Sequence, residues 1–364
     1  MGDLDFSHED VERASRYHRP LYVALAARLL LAVALYSLLA GSWIGDRLWA
    51  AVDGLGWAGS AAAWAVLVTV LATAVRLPLG AWSDLVYERR WGLSKQTAGG
   101  WLADEAKGLA VVVVLTTGAW AAAVGLGRAL PSLWWLPAAA ALALLTVFLA
   151  FVAPVVLEPL FNRFEPLADE RLAGELRTLS ADAGVPVGDV LVADASRRTT
   201  KSNAYVSGLG ATRRVVLWDT LLASAGEREV KLVIAHELGH RRERHAAKLT
   251  ALFVAGGAVG VVVLRAALGT PSPRDLPLAL LLFTGLELVA LPVVAAVSRR
   301  WERVADRWSL ELTHDLEAFE RAHVGLARDN LSDLAPPRLA YLFLFTHPTA
   351  PERLAFGRAL GGAA

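Results

Sequence analysis

The sequence predicts a polytopic α-helical membrane protein with a mainly helical extramembrane region that contains a small β-hairpin. Three observations predict it. Of 364 residues, 55% are hydrophobic and 20% are charged, with a mean hydropathy of +0.44. That mixture is too apolar for a soluble domain unless the apolar residues are segregated. They are segregated, into six stretches near the roughly 20 residues that cross a bilayer as a helix. The third observation is a long polar block, residues 158–245, between the fourth and fifth stretches.

The stretches lie near Leu21–Trp43, Ser60–Leu79, Gly108–Leu126, Leu133–Val156, Lys248–Leu268 and Leu276–Val297. The second holds Arg76 and the sixth Glu287. Charges at such depth are costly, and Arg76 is expected to snorkel from the end of its span. Residues 1–19 lack a short apolar core and run straight into the first span, so no signal peptide is expected. The chain has no cysteine, which excludes disulfides and thiolate metal sites. A net charge of +1 without a basic aromatic patch gives no reason to expect a nucleic-acid partner. The thirteen tryptophans are expected in interfacial belts.

Loop charges suggest the orientation. Arg13, Arg16 and Arg19 precede the first span, and Arg89, Arg90, Lys95 and Lys107 follow the second. The other short connections carry only Arg47, Arg128, Arg265 and Arg274. The positive-inside rule then puts both termini, the polar block and residues 298–364 in the cytoplasm. Four segments are expected: 1–157 with four spans, 158–245 as a catalytic region, 246–297 with two further spans, and 298–364 completing the site.

Within the polar block, Arg171–Ala183 reads as an amphipathic helix and Asp189–Ala193 as a short strand. Ala204–Ser207 and Arg214–Leu217 are β-rich runs joined through Gly208-Leu209-Gly210, a hairpin signal. Glu227–Arg244 reads as a helix, and it carries His236-Glu237-Leu238-Gly239-His240. On a helix the two histidines share a face and can reach one Zn²⁺, with Glu237 beside them as an acid–base group. A catalytic zinc needs a third protein ligand and a position left for water. His245 comes five residues after His240 and points elsewhere on a continuous helix. Glu302 at the end of the sixth span is the better candidate. Asp306, one turn on, is spaced to orient a ligating histidine through its free N–H. Read alone, Glu302 and Asp306 could equally form a solvated face with Arg299, Arg300 and Arg303.

Several further motifs appear in a telling order. They are Tyr87-Glu88-Arg89-Arg90-Trp91-Gly92-Leu93-Ser94-Lys95-Gln96-Thr97, Pro159 to Leu167, Ser202-Asn203-Ala204-Tyr205, Val215 to Leu222, Glu302-Arg303-Val304-Ala305-Asp306, and His347-Pro348 followed by Glu352-Arg353. With the histidine motif they give the chain a resemblance to the zinc-dependent CAAX prenyl protease 1 family of integral membrane metalloendopeptidases, from about Val11 to Arg358. The resemblance implies one zinc per chain on His236, His240 and Glu302, with Glu237 as general base and Asp306 behind a ligand. It implies that Asn203 and Ala204 hold an extended substrate peptide along a strand edge. His347 and Arg353 would position substrate and stabilise the oxyanion. The spans would surround a barrel-like chamber in the bilayer. Eukaryotic members begin with an additional span that is missing here, which points to a bacterial-type member in a cytoplasmic membrane.

The activity implied is hydrolysis of peptide bonds in flexible or membrane-associated polypeptides. A site-2 protease would bury the histidine motif within a span and add an Asp-Gly ligand motif. Here charge flanks the motif and the one Asp-Gly is Asp53-Gly54. A heat-shock-type quality-control metalloprotease would have a shorter amino-terminal part. A non-catalytic channel or chaperone with a structural zinc would need four protein ligands. His8, His18, His314 and His323 show no partner pattern and are expected to be surface or structural residues.

Overall fold

The computed structural model describes residues 5–208 and 212–361. Among them six helices are long and apolar enough to cross a membrane. Each of the six stretches expected from the sequence falls on one of them, although the first runs two residues past its helix, to Trp43, and the fourth starts two residues ahead of its helix, at Leu133. α1 (His8–Gly41) starts at Ser7, whose side chain accepts from the Asp10 amide in a capping box. α2 (Trp43–Ala50) is short, and α3 (Gly56–Ala81) continues through a π-helical turn (Trp82–Tyr87) into α4 (Glu88–Arg90). α5 (Ala98–Ala129) and α6 (Trp135–Val152) follow, and a second π-helical turn leads into α7 (Glu158–Phe161). Arg76 turns its Nε back to the Ala72 carbonyl of its own helix, 3.0 Å away.

The extramembrane region is built on a four-stranded sheet. Its strands are β1 (Phe164–Pro166), β2 (Asp189–Ala193), β3 (Ala204–Ser207) and β4 (Arg214–Trp218), in the order β1-β2-β4-β3. β2 and β4 are parallel, and the other pairs are antiparallel. The predicted hairpin is β3–β4, with Ala204 opposite Leu217 and Ser207 opposite Arg214. Leu209 and Gly210 of its turn lie outside the described residues. α8 (Glu170–Asp182) takes the place of the predicted amphipathic helix. After α9 (Asp219–Ser224) comes α10 (Glu227–Arg242), with Glu227 and Glu229 in its first turn and Arg241 and Arg242 in its last, both favourable to the helix dipole.

α10 has two buried faces. Val230, Ile234 and Leu238, four residues apart, enter the sheet's core with Val206, Val215 and Leu217. The opposite face meets α12 (Leu276–Thr313), which is preceded by α11 (His245–Leu268). At 38 residues α12 is about 57 Å long at 1.5 Å per residue. It crosses the membrane and leaves it as one rod that carries Glu302 and Asp306 to the site. Gly239 makes the approach possible, since a Cβ there would stand 3.0 Å from Trp308 Cβ and 3.2 Å from Ala305 Cα. α13 (Leu316–Asp329), α14 (Arg338–Leu344) and α15 (Ala350–Gly361) close the far side.

Three tryptophans depart from the belt expectation. Trp64, Trp120 and Trp134 are buried and donate their indole N–H to the carbonyls of Arg274, Pro273 and Gly269. They pin the α11–α12 connection, at the end of these helices remote from Glu302.

Candidate metal centre and catalytic site

Sequence-predicted residues from three helices and a loop meet at one point. One ligand atom each from His236, His240 and Glu302 lies within 4.8 Å of the others. His236 Nε2 is 3.1 Å from His240 Nε2 and 3.2 Å from Glu302 Oε2, and His240 Nε2 is 3.2 Å from Glu302 Oε1. Glu302 is 3% exposed, yet its Oε2 has no hydrogen-bond partner. A buried carboxylate oxygen without a hydrogen bond is costly. Lone pairs of two imidazoles and a carboxylate facing one another fit a divalent cation, and two nitrogens plus an oxygen suit zinc.

The groups behind these atoms fix their tautomers. His236 donates from Nδ1 to Asp306 Oδ1 at 3.0 Å, which leaves the Nε2 lone pair facing His240 and Glu302. Asp306, fully buried, also receives Nε of Arg353 at 3.0 Å and its Nη2. His323 donates from Nδ1 to the Phe319 carbonyl at 2.8 Å and holds Nε2 3.6 Å from Asp306. Burial and Arg353 both disfavour a charged His236, but Asp306 and Glu302 outweigh them and raise its pKa to about 9. The site attracts positive charge, which a metal would supply. Burial also raises the Glu237 carboxyl above its ordinary range, against the neighbouring histidines and Arg353.

His347 is largely exposed at 61%, with Nε2 3.3 Å from Glu302 Oε1 and Nδ1 2.9 Å from the Thr346 hydroxyl. Arg353 is brought to the site, but its Nε and Nη2 are engaged on Asp306, and Nη1 is 3.8 Å from Glu302. Ala204 begins β3, an edge strand of the sheet, and Asn203 directly precedes it. Asn203 is exposed, and its Oδ1 accepts from the Ala204 amide at 2.9 Å.

The direction of His245 was misjudged from sequence, and the partner of the structural His323 was not foreseen. On a continuous helix His245 would be turned about 140° from His240. Instead α10 ends at Arg242, Arg244 adopts a left-handed φ of 55°, and α11 starts at His245. That break returns His245 to the site, with Nδ1 2.9 Å from His240 Nδ1 and its ring stacked 5.0 Å from Trp301. A metal-ligating His240 Nε2 makes Nδ1 the donor to His245. His323 has no local signal at all, because only the packing of α13 against α10 and α12 brings it to Asp306.

Comparison with known proteins agrees with this geometry. The sequence model of peptidase family M48 matches residues 166–360. The model described as the CAAX prenyl protease N-terminal region, five membrane helices, matches residues 5–163, where the described residues hold four candidate spans. An uncharacterized metalloprotease of Bacillus subtilis, YhfN, is 31% identical over 302 residues, covering 79% of this chain and 71% of that protein. CAAX prenyl protease 1 of Saccharomyces cerevisiae is 28% identical over 318 residues, covering 79% and 70%. The crystal structure of S. mikatae Ste24p superposes with a TM-score of 0.82 at 24% identity, over 96% of this chain and 89% of that one. That likeness carries the fold, with spanning helices around a chamber. Neither the heat-shock-type reading nor the non-catalytic one is favoured by these matches.

Proposed function

This chain belongs to peptidase family M48 and is a multi-pass membrane metallopeptidase, and from that premise we propose that it is a zinc endopeptidase acting through His236, His240, Glu302 and Glu237. One observation carries the reading: two imidazoles and a buried carboxylate converge within 4.8 Å, next to a further carboxylate on the same helix.

Zinc, when bound, supplies Lewis acidity toward the scissile carbonyl and makes water more acidic. Glu237 accepts the proton of the attacking water on its carboxylate and passes it to the leaving amine. Its raised pKa brings it nearer the working pH, where a general base is most effective. His347 is exposed and close to Glu302, so its Nε2–H can meet the developing oxyanion, an interaction often worth about 3 kcal/mol. Arg353 acts through Asp306 and lends its charge from behind the histidine. Asn203 and Ala204 hold the substrate extended along β3. Substrates are flexible or membrane-associated segments able to enter the chamber.

Glu237→Gln keeps the shape of the side chain but cannot accept a proton. It should retain zinc and lose about 10²–10⁴-fold in kcat. Near-normal turnover would remove Glu237 from the base role. In the same assay His347→Ala should lower kcat by more than it raises KM.

The arginine and lysine bias of the loops supports a cytoplasmic catalytic region in a bacterial inner membrane. Ser224 is exposed at the end of α9 and the chain has no native cysteine, so Ser224→Cys is a clean probe. It should resist an impermeant thiol reagent applied to intact cells. Labelling from outside would invert the topology.

A further inference from the structure

The open edge of β3 is not uniform. Trp218 donates its amide to the Asn203 carbonyl at 3.0 Å. In the antiparallel register this makes residues 203, 205 and 207 the ones bonded to β4. Ala204 and Val206 therefore turn their backbone groups to the unpaired side. Among the described residues the Ala204 carbonyl has no hydrogen-bond partner. The Val206 carbonyl, two positions on, is occupied. Arg241 donates to it from Nε at 2.9 Å and also from Nη2. Ala204 and Val206 are both buried, at 3% and 5%, so the two positions differ in what occupies their carbonyls and not in burial.

Arg241 follows His240 directly, so this grip ties the strand edge to the metal-ligating turn of α10. A guanidinium has five donors shaped for a carboxylate. Here its hydrogen bonds go to one neutral backbone carbonyl, the next acceptor that an extended peptide would use after Ala204.

We propose that Arg241 is a positioning residue that closes the strand edge at Val206, so that a substrate pairs on this side of β3 through Ala204 and not through Val206. This rests on the reading of β3 as the substrate-holding edge. In antiparallel pairing, a substrate N–H bonded to the Ala204 carbonyl has its next edge-facing N–H two residues away, opposite Val206. That second N–H meets an acceptor already taken. One main-chain acceptor and one stop then define what this edge offers to a substrate.

The test is a backbone N-methyl scan of an unstructured reporter peptide, with products mapped by mass spectrometry and the zinc-loaded full chain in detergent as enzyme. The wild type should show one edge-facing amide whose methylation raises KM by about three- to tenfold, the usual net worth of a hydrogen bond. Methylation two residues away on the Val206 side should be silent. In Arg241→Leu that second amide should become sensitive. Arg241→Lys keeps a donor and should leave that amide silent. If Arg241→Leu fails to fold, the wild-type scan decides: two sensitive amides on that spacing overturn the stop. An Arg241→Leu variant with the wild-type scan, or with only a changed kcat, also overturns it. A scan with no sensitive amide, together with an unchanged KM in Ala204→Pro, instead overturns β3 as the substrate edge.

Discussion

The metal side of the site and the strand side are built by opposite means. Behind the metal stand ionisable groups almost without water: Asp306 at 0% exposure, Glu302 at 3%, His323 at 7% and His236 at 8%. Their positions depend on each other's hydrogen bonds. The strand side depends on backbone groups, and the side chains of Ala204 and Val206 serve only to anchor β3 in the apolar core. The difference teaches where each wall can fail. A buried charge network fails when any one partner is removed, because the others are left unpaired. A strand edge tolerates side-chain changes and fails when its outer face is obstructed.

Asp306→Ala should produce the larger effect. It strips His236 of its Nδ1 partner and leaves the half-buried Arg353 without its carboxylate. Breaking such a pair typically costs about 3–5 kcal/mol, and losing the group that orients a ligating histidine weakens metal binding about 10–100-fold. Thermal unfolding in detergent and a zinc titration measure the two losses. Normal stability and zinc affinity would mean that Asp306 is not the keystone of this side.

Ala204→Pro should produce a smaller and different effect. The Ala204 amide faces outward, so proline removes no bond to β4, and an edge position with its N–H turned out accepts proline. The ring would stand where the proposed substrate strand would pair. Zinc content and folding should persist while KM rises by about tenfold, close to 1.4 kcal/mol. A fall in zinc content would erase the contrast between the two sides.

Much of this arrangement was legible in the sequence. The spans could be read because bilayer thickness imposes length and composition. Strands β2 and β3 were found to the residue, since short β-rich runs between turn residues carry a local signal. His236, Glu237 and His240 share one helical turn, so their spacing is itself geometric. Glu302 needed the resemblance, because its own surroundings also read as a solvated face. What was not legible depends on a single backbone angle or on distant packing. One left-handed residue, Arg244, restores His245 to the site, and no period-based reading anticipates it. His323 and Arg241 take their roles from Asp306 and Val206, which lie 17 and 35 residues away in sequence. Trp64, Trp120 and Trp134 look like belt residues until the loop that they clamp is seen.

Metal analysis of the purified wild type beside Glu302→Ala tests the central claim most directly. The account predicts about one zinc per wild-type chain, the number that one three-ligand catalytic site holds. It predicts that Glu302→Ala, folded by its unfolding transition, loses most of that zinc together with activity. Unchanged zinc content in the folded variant would contradict it, because the carboxylate that completes the His236–His240 cluster would then not be a ligand.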